Sequence, residues 1–552
     1  MKKMFLLVLL LLVSAARMQA QTIPGLGTAT FPTSTRSAAA QNDFIRGLLL
    51  LHLFEYEDAV KSFAAAESAD PGFAMAYWGE AMTFNHGVWN EVDPKAGQAA
   101  LAKFGATPEE RARRISDPRE RAYMSAVEIL YSGKGDKRAR DAQYAAAMEQ
   151  LVKAYPKDDE AQLFYALALL GSSEGVRDVP TYLKAAEISK EVFERNPQHP
   201  GAAHYWIHGM DDPQHAAGAL EAARALSKIA PDAGHALHMC SHIFMALGMW
   251  DEVVEANVAA ISVVDKQTVA AGKPIRHCGH YTSWLEYGYL EQGRIGDAEK
   301  VLAECRDDAV RSSTAARARG AVDPDDSRIG SFAVMRNHYI VDTDGWDGEV
   351  VGWNMDMSGA PMAEYYFTFG TAFAAGERGD ASTARESLAS LDRLLAQLPA
   401  LFDREGIPAD DPGRRVPQIQ RMQIEALNLA AEGHGDQAIA TAEQAVIAGK
   451  DLPYAFGPPS PAKPSEELLG QLLLKANKAS EAREAFAASL QRAPRRAESL
   501  LGLARAESAM GDKAAAAKSY TELIEIWKNA DPGYAPKEEA QRYISSAARA
   551  SN

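Results

Sequence analysis

The sequence predicts an all-α protein, a right-handed solenoid of helical hairpins, and three observations carry that expectation. Strand-like alternation is almost absent over the 552 residues. Alanine recurs at helical spacing on apolar faces, where a small side chain lets two helices cross closely. A turn-then-helix pattern also returns at a fixed interval along most of the chain.

That pattern is clearest from Leu49 to Pro71, LLLHLFEYEDAVKSFAAAESADP. An apolar helix end and a short turn are followed by Ala59, Phe63 and Ala66 at helical spacing, closed by Asp70 and Pro71. Tyr56, Ala59, Phe63, Ala66 and Pro71 stand where the second half of a tetratricopeptide unit has its consensus residues. The signature returns at Gly248 to Asp265, Gly293 to Leu302 and Gly376 to Leu395. It appears again at Gly433 to Ala448, Asn477 to Pro494 and Gly511 to Pro532. Roughly eight to ten hairpins of tetratricopeptide type are expected, each hiding its apolar face only against its neighbours.

The first segment has the layout of a secretory signal peptide. Lys2 and Lys3 precede an apolar run from Met4 to Val13, and small residues follow up to Ala20, with cleavage expected after Ala20 or Ala16. The run is short for a membrane span, which needs about 20 residues. The mature protein is therefore expected to be periplasmic or secreted, without membrane insertion once the signal is removed. Residues 21–41 form an N-terminal extension, 42–306 a repeat array with a histidine-lined groove, and 307–330 a charged connector. Middle repeat pairs fill 331–455, and a proline-rich connector, with four prolines that bar a helix, fills 456–465. The last repeat pairs occupy 466–535 and a tail 536–552. Ala96 to Gly135 and Lys266 to Gly279 read as insertions between units.

A net charge of −16 argues against nucleic acid or anionic lipid as partners, since phosphate needs a basic stripe. Cys240, Cys278 and Cys305 are too few for a disulfide scaffold. Buried free thiols are expected, with a Cys240–Cys278 bridge the alternative.

The histidines carry the most information. His204 and His238 are 34 residues apart, as are His208 and His242, and as are His52 and His86. That interval is the tetratricopeptide period, so each pair takes equivalent places in neighbouring units. With Gly248 at position 15 of its unit, His235, His238 and His242 fall at positions 2, 5 and 9 of a first helix. His204 and His208 fall at positions 5 and 9 of the preceding unit, His280 at position 2 of the following one, and His52 and His86 at position 13. In proteins resembling this repeat these positions line the concave groove, so eight of the thirteen histidines point there. Random placement would put about two there.

Imidazoles at i and i+4 share one helix face. Two such faces side by side would gather imidazoles, the commonest side-chain ligands of zinc, copper, nickel and iron. The expected metal ligands are His204, His208, His235, His238, His242 and His280, with His52, His86, His277 and Glu80 as further groove ligands. Copper or zinc is favoured over iron, for storage, delivery or metal-assisted chemistry. Duplication of one inherited HxxxH gives the same spacing without a metal. The alternative is then a metal-free scaffold holding a protein or peptide partner in the same groove. Whether the chain is an enzyme is left open and no catalytic residue is assigned. HExxH, a Walker loop, GxGxxG after a strand and GxSxG are all absent. Cys240 is expected to pack inward, as are Trp206, Trp250, Trp284 and Tyr287. Trp346 and Trp353 are expected at the surface. His199, His215, His338 and His434 are read as structural or surface residues.

Four stretches carry a resemblance: MAYWGEAM at Met75 to Met82, HPGAAHYWIH at His199 to His208, AGHALHMCSHIF from Ala233 with its LGMWDEVVEAN continuation, and FGPPSPAKPSEELLGQLLL. With HPGxxHxxIH and AGHxxHMxSHI as its motifs, the chain resembles a family of exported bacterial tetratricopeptide-repeat proteins. The resemblance spans nearly all of the mature chain. It implies the repeat fold and export, and no biochemical role.

Overall fold

The computed structural model describes residues 20–173, 177–321 and 327–550. The signal segment, apart from its last residue, lies outside the described residues. Helices dominate, and they follow one another as hairpins. Examples are Ala38–His52 with Tyr56–Ala69, Gly234–Ala246 with Trp250–Ala270, and Ala497–Ala509 with Lys513–Ile526. Strands among the described residues are two short antiparallel hairpins, Gln21–Ile23 with Gly27–Ala29 and Asn85–His86 with Glu91–Val92. This is an all-α helical-repeat fold.

The packing rule within a repeat is visible at both ends of the chain. The Phe63 ring is fully buried between Gly47 and Gly79, where an added Cβ would lie 2.8 and 2.3 Å from it. Phe486 sits in the same way between Gly470 and Gly502, at 2.8 and 2.2 Å. A phenylalanine on one second helix thus fills the space left by glycines on the first helices either side. Between the helices of a pair, Gly248 and Gly293 adopt φ of +65° and +68°, a left-handed turn that side chains resist.

The chain divides into two compact units. Among the described residues, one falls within 1–172 and 191–201 and the other within 173–190 and 202–552. In the first unit, the stretch expected as an insertion at Ala96 to Gly135 carries three helices, Pro94–Phe104, Pro108–Arg114 and Pro118–Leu130. The reason is local: Asp93, Thr107 and Asp117 cap the free amides, and each is followed by proline in the first turn. Phe31, Phe44, Trp78 and Tyr123 form an aromatic core here.

In the second unit, Lys266 to Gly279 is helical as far as Ala270 and loop thereafter. The charged connector is helical as far as Ala318 and again from Arg328. The segment expected as a tail forms a helix, Ala535–Ala550, packed against Lys513–Ile526. The proline-rich connector is irregular, as its prolines require. Cys278 and Cys305 form a disulfide, while Cys240 is buried and free. The bridge joins the loop before the His280–Glu291 helix to the Ile295–Ala318 helix. Cys240 cannot reach it, because its thiol faces inward and bonds the Ala236 carbonyl at 3.4 Å. Trp353 is buried rather than exposed, and Trp346 is half-buried. Trp206, Trp250, Trp284 and Tyr287 are all buried. No helix among the described residues is long and apolar enough to cross a membrane.

Candidate metal centre

Three first helices of the second unit bring the expected histidines together. Pro200–Gly209, nearly all of it in this unit, carries His204 and His208; Gly234–Ala246 carries His235, His238 and His242; His280–Glu291 begins with His280. Every residue from Gly234 to Met245 is buried, which marks a central helix with no solvent face. Its three imidazoles therefore sit in the interior, where polar groups need partners.

The six rings form two sets. In His204, His208 and His235, one ring nitrogen from each lies within 4.8 Å of the others, and all three residues are buried. The same holds for His238, His242 and His280, with His280 exposed. The sets adjoin: ring centroids are 6.2 Å apart for His208 and His242, and 6.3 Å for His235 and His238. A tetrahedral ion at about 2.0–2.1 Å from its nitrogens holds them roughly 3.4 Å apart. Side-chain movements of about an ångström would close either set.

The second set shows which nitrogen each ring presents. Asn257 donates its Nδ2 to the Val253 carbonyl at 2.8 Å, which turns its Oδ1 toward His238. His238 Nδ1 lies 2.8 Å from that oxygen and must donate to it. His242 Nδ1 likewise donates to the Asp211 carboxylate at 2.6 Å. Both Nδ1 atoms being used, the two Nε2 atoms face each other at 3.2 Å. Burial, reinforced by His280 and His242, lowers His238 well below the usual imidazole range, so it is neutral at pH 7 and its Nε2 carries a bare lone pair. Burial and neighbouring imidazoles do the same to His208 and His235. Neutral imidazole is the form that binds metal.

Asp211 is held in place from outside the cluster. Arg177 donates to the His208 and Gly209 carbonyls at 3.2 and 2.9 Å and to Asp212 at 2.7 Å, tying down the turn that carries Asp211. Asp212 also receives His215 Nδ1 at 2.8 Å. Trp284 covers the second set, 4.4 Å from the His242 ring and 4.8 Å from His238. The proline-rich connector lies on Trp284 in turn: a Cβ on Gly457 would be 2.7 Å from that indole.

The further groove ligands take other roles. His52 Nε2 lies 2.7 Å from Glu160 Oε2, and His199 Nε2 lies 2.9 Å from Oε1 of the same carboxylate, all three buried in the first unit. Burial lowers His52 despite the carboxylate. Burial alone would raise Glu160; His199 and His52 outweigh it and hold the carboxyl below its usual range. These three side chains could also converge on an ion, but their direct hydrogen bonds already satisfy them as a buried clasp. His86 falls beyond the end of the Ala74–Met82 helix, in a short strand rather than at a helical groove position. It faces the Thr83 carbonyl at 3.0 Å and stacks on Tyr56. Glu80 is engaged by Lys103 at 2.6 Å. His277 reaches Glu304 at 3.7 Å and takes no part in either set. Burial pushes the Cys240 thiol up to about 12, so it offers no thiolate.

Asp211, Asn257, Arg177 and Trp284 were not singled out by the histidine pattern as parts of this site. The signal for two of them was present: an Asp-Asp pair directly after His208-Gly209-Met210, and an asparagine inside the apolar second helix Trp250–Ala270.

Fold and site together define a helical-repeat protein with a six-histidine cluster, five of its residues buried and His280 exposed. Among solved structures it is similar to the APC/C hetero-tetramer Cut9–Hcn1, at 11% identity over 94% of this chain and 78% of that one, with a TM-score of 0.32. It is also similar to the human IFIT1 dimer with m7Gppp-AAAA, at 13% identity over 94% and 91%, with a TM-score of 0.31. A third is the P58(IPK) TPR domain, at 14% over 92% and 99%, with a TM-score of 0.20. Similarities this loose carry no functional argument. No protein-family model and no curated protein matches the chain.

Proposed function

We propose that this is an exported repeat protein that binds a transition metal, copper or zinc, through the six-histidine cluster. The observation that carries the reading is the 3.2 Å approach of two Nε2 atoms whose Nδ1 partners are already engaged. Two lone pairs do not face each other unbridged in a protein interior, so a cation belongs between them. A proton is one candidate and a metal ion the other. Three features favour the metal: His280 completes the set, a second set of three lies beside it, and an oxygen acceptor orients each facing imidazole. Ring N–H groups held by carboxylate or amide oxygens are the usual support of metal-bound histidine. All-nitrogen donors of this kind suit copper or zinc, with iron behind them.

The test is elemental analysis of protein purified from its exported compartment, beside a variant with His204, His208, His238 and His242 changed to Ala. Copper or zinc near one or two per chain, lost in the variant, supports the reading. No metal in either, with a melting temperature indifferent to added copper and zinc, overturns it. The search would then turn to a protein or peptide partner of the groove.

A further inference from the structure

A cavity of about 100 Å³ lies against the second histidine set, with His242 and its carboxylate partner Asp211 in its wall. We infer that it is a binding site for a small arylalkyl amine, a ring with a protonated side-chain nitrogen, formed where the proline-rich connector passes in front of the histidine-bearing helices. Its size is of the order that takes a single ring. Trp250, Tyr287, Tyr454 and Met245 line it, and Pro459 and Pro461 of the connector add flat, rigid surfaces. These walls are fixed in advance. The Trp250 indole donates to the Arg495 carbonyl at 3.1 Å, and the Tyr454 hydroxyl accepts from Gln214 at 2.9 Å.

Charge selects the ligand. Two carboxylates line the cavity, Asp211 and Glu466, against one cation, Arg492. Arg492 turns its Nη2 to the backbone, donating to the Leu452 and Pro453 carbonyls at 2.9 and 3.1 Å, and lies 5.0 Å from the Tyr454 ring centroid. Glu466 has no ion-pair partner among the described residues. An anion would meet two carboxylates against a single guanidinium, part of which is turned to the backbone. An ammonium group would find both carboxylates and the aromatic faces that attract cations. The apolar part of the ligand would stack between the indole and the prolines. This pocket for a small organic molecule beside the imidazoles distinguishes the protein from a plain metal store.

The inference adds to the metal reading, which supplies what lies behind His242, but binding is tested separately on metal-free and zinc-loaded protein. The probes are benzylamine, benzyl alcohol and benzoate, which share a ring and differ in charge, with affinities taken from ligand-observed NMR. Benzylamine should bind at least about 10-fold more tightly than benzoate, with benzyl alcohol between them. Glu466→Gln and Tyr454→Ala, at half-buried positions clear of the histidines, should each weaken benzylamine by at least about 3-fold. Neither should change the metal content. Benzoate binding as well as benzylamine, or benzylamine affinity unmoved by both substitutions, overturns the inference. If the protein holds metal but no amine, the pocket assignment fails alone. If it holds the amine but no metal, only the metal reading fails.

Discussion

Four buried imidazoles should make the metal-free second unit lose stability on acidification, against an opposing contribution from its raised carboxyls. His208, His235, His238 and His338 are each less than a tenth exposed. Burial, with nearby positive charge, lowers all four, His338 to about 3. In the unfolded chain the same groups take up protons near the reference value of about 6.5. Below that pH the unfolded state binds more protons than the folded state, so stability falls as pH falls and is fully present above it. Each imidazole held neutral removes about 1.4 kcal/mol of stability between about pH 7.5 and pH 5.5. Four of them together remove at most about 5–6 kcal/mol. Three carboxyls of the same unit act against this: burial raises Glu286 well above the usual range, Glu291 to about 7 and Glu498 to about 8, so the folded state takes up protons there over the same interval. The imidazole share is therefore read against a variant with His208, His235 and His238 changed to Gln. Three groups at about 1.4 kcal/mol, with a urea slope on the order of 4 kcal/mol per molar, give the native chain up to about 1 M more loss of midpoint on acidification. Urea titrations followed by far-UV circular dichroism at the two pH values, with chelator present, measure this directly. An equal pH response in the two proteins would mean that the imidazoles are hydrated or already protonated in the folded protein. The neutral-ligand argument would then fail.

Other expected outcomes follow from single contacts. Asp211→Asn keeps the shape but removes the charge behind His242, and should weaken zinc or copper about 10–100-fold in chelator competition; an unchanged affinity would remove Asp211 from the site. Glu160→Gln leaves one of two imidazole N–H groups facing an amide N–H, and should cost about 1–3 kcal/mol in urea unfolding, so a neutral result would refute the clasp. Gly502→Ala would drive a Cβ to 2.2 Å from the Phe486 ring, which Gly470 backs on the other side. An overpacking cost of about 1–3 kcal/mol is expected in thermal unfolding, and full stability would show that the ring has room to move. Mass mapping of the oxidised protein should find Cys278 joined to Cys305, with Cys240 resisting alkylation until the chain is unfolded; rapid labelling of Cys240 would contradict its burial.

Much of the fold was legible because the repeat states it many times over. A helix pair needs only its own apolar spacing and its turn glycine, and both are local. The same locality made the two HxxxH faces readable, since i and i+4 share a face wherever the helix lies. Long-range partners could not be read this way. Asp211 meets His242 from a turn 31 residues away, and Glu160 meets His52 from 108 away. His52 and His86 share the 34-residue interval, yet one ends a helix and the other lies in a hairpin, because the chain leaves the repeat pattern after Met82. The connector was recognised as non-helical from its prolines, but nothing local indicated that Gly457 would rest on Trp284. The final helix from Ala535 was missed because the Asp531-Pro532-Gly533 turn before it read as an ending.

Repeat arrays ordinarily change length with ease, since a unit can be gained or lost without disturbing those beyond its neighbours. The Gly234–Ala246 helix removes that freedom here. It gives His235 to the imidazoles of the unit before it, and His238 and His242 to the imidazole of the unit after it. Inserting or deleting a single 34-residue module on either side would leave each half-set facing a stranger. This stretch of the chain should therefore be inherited as an indivisible block of three modules.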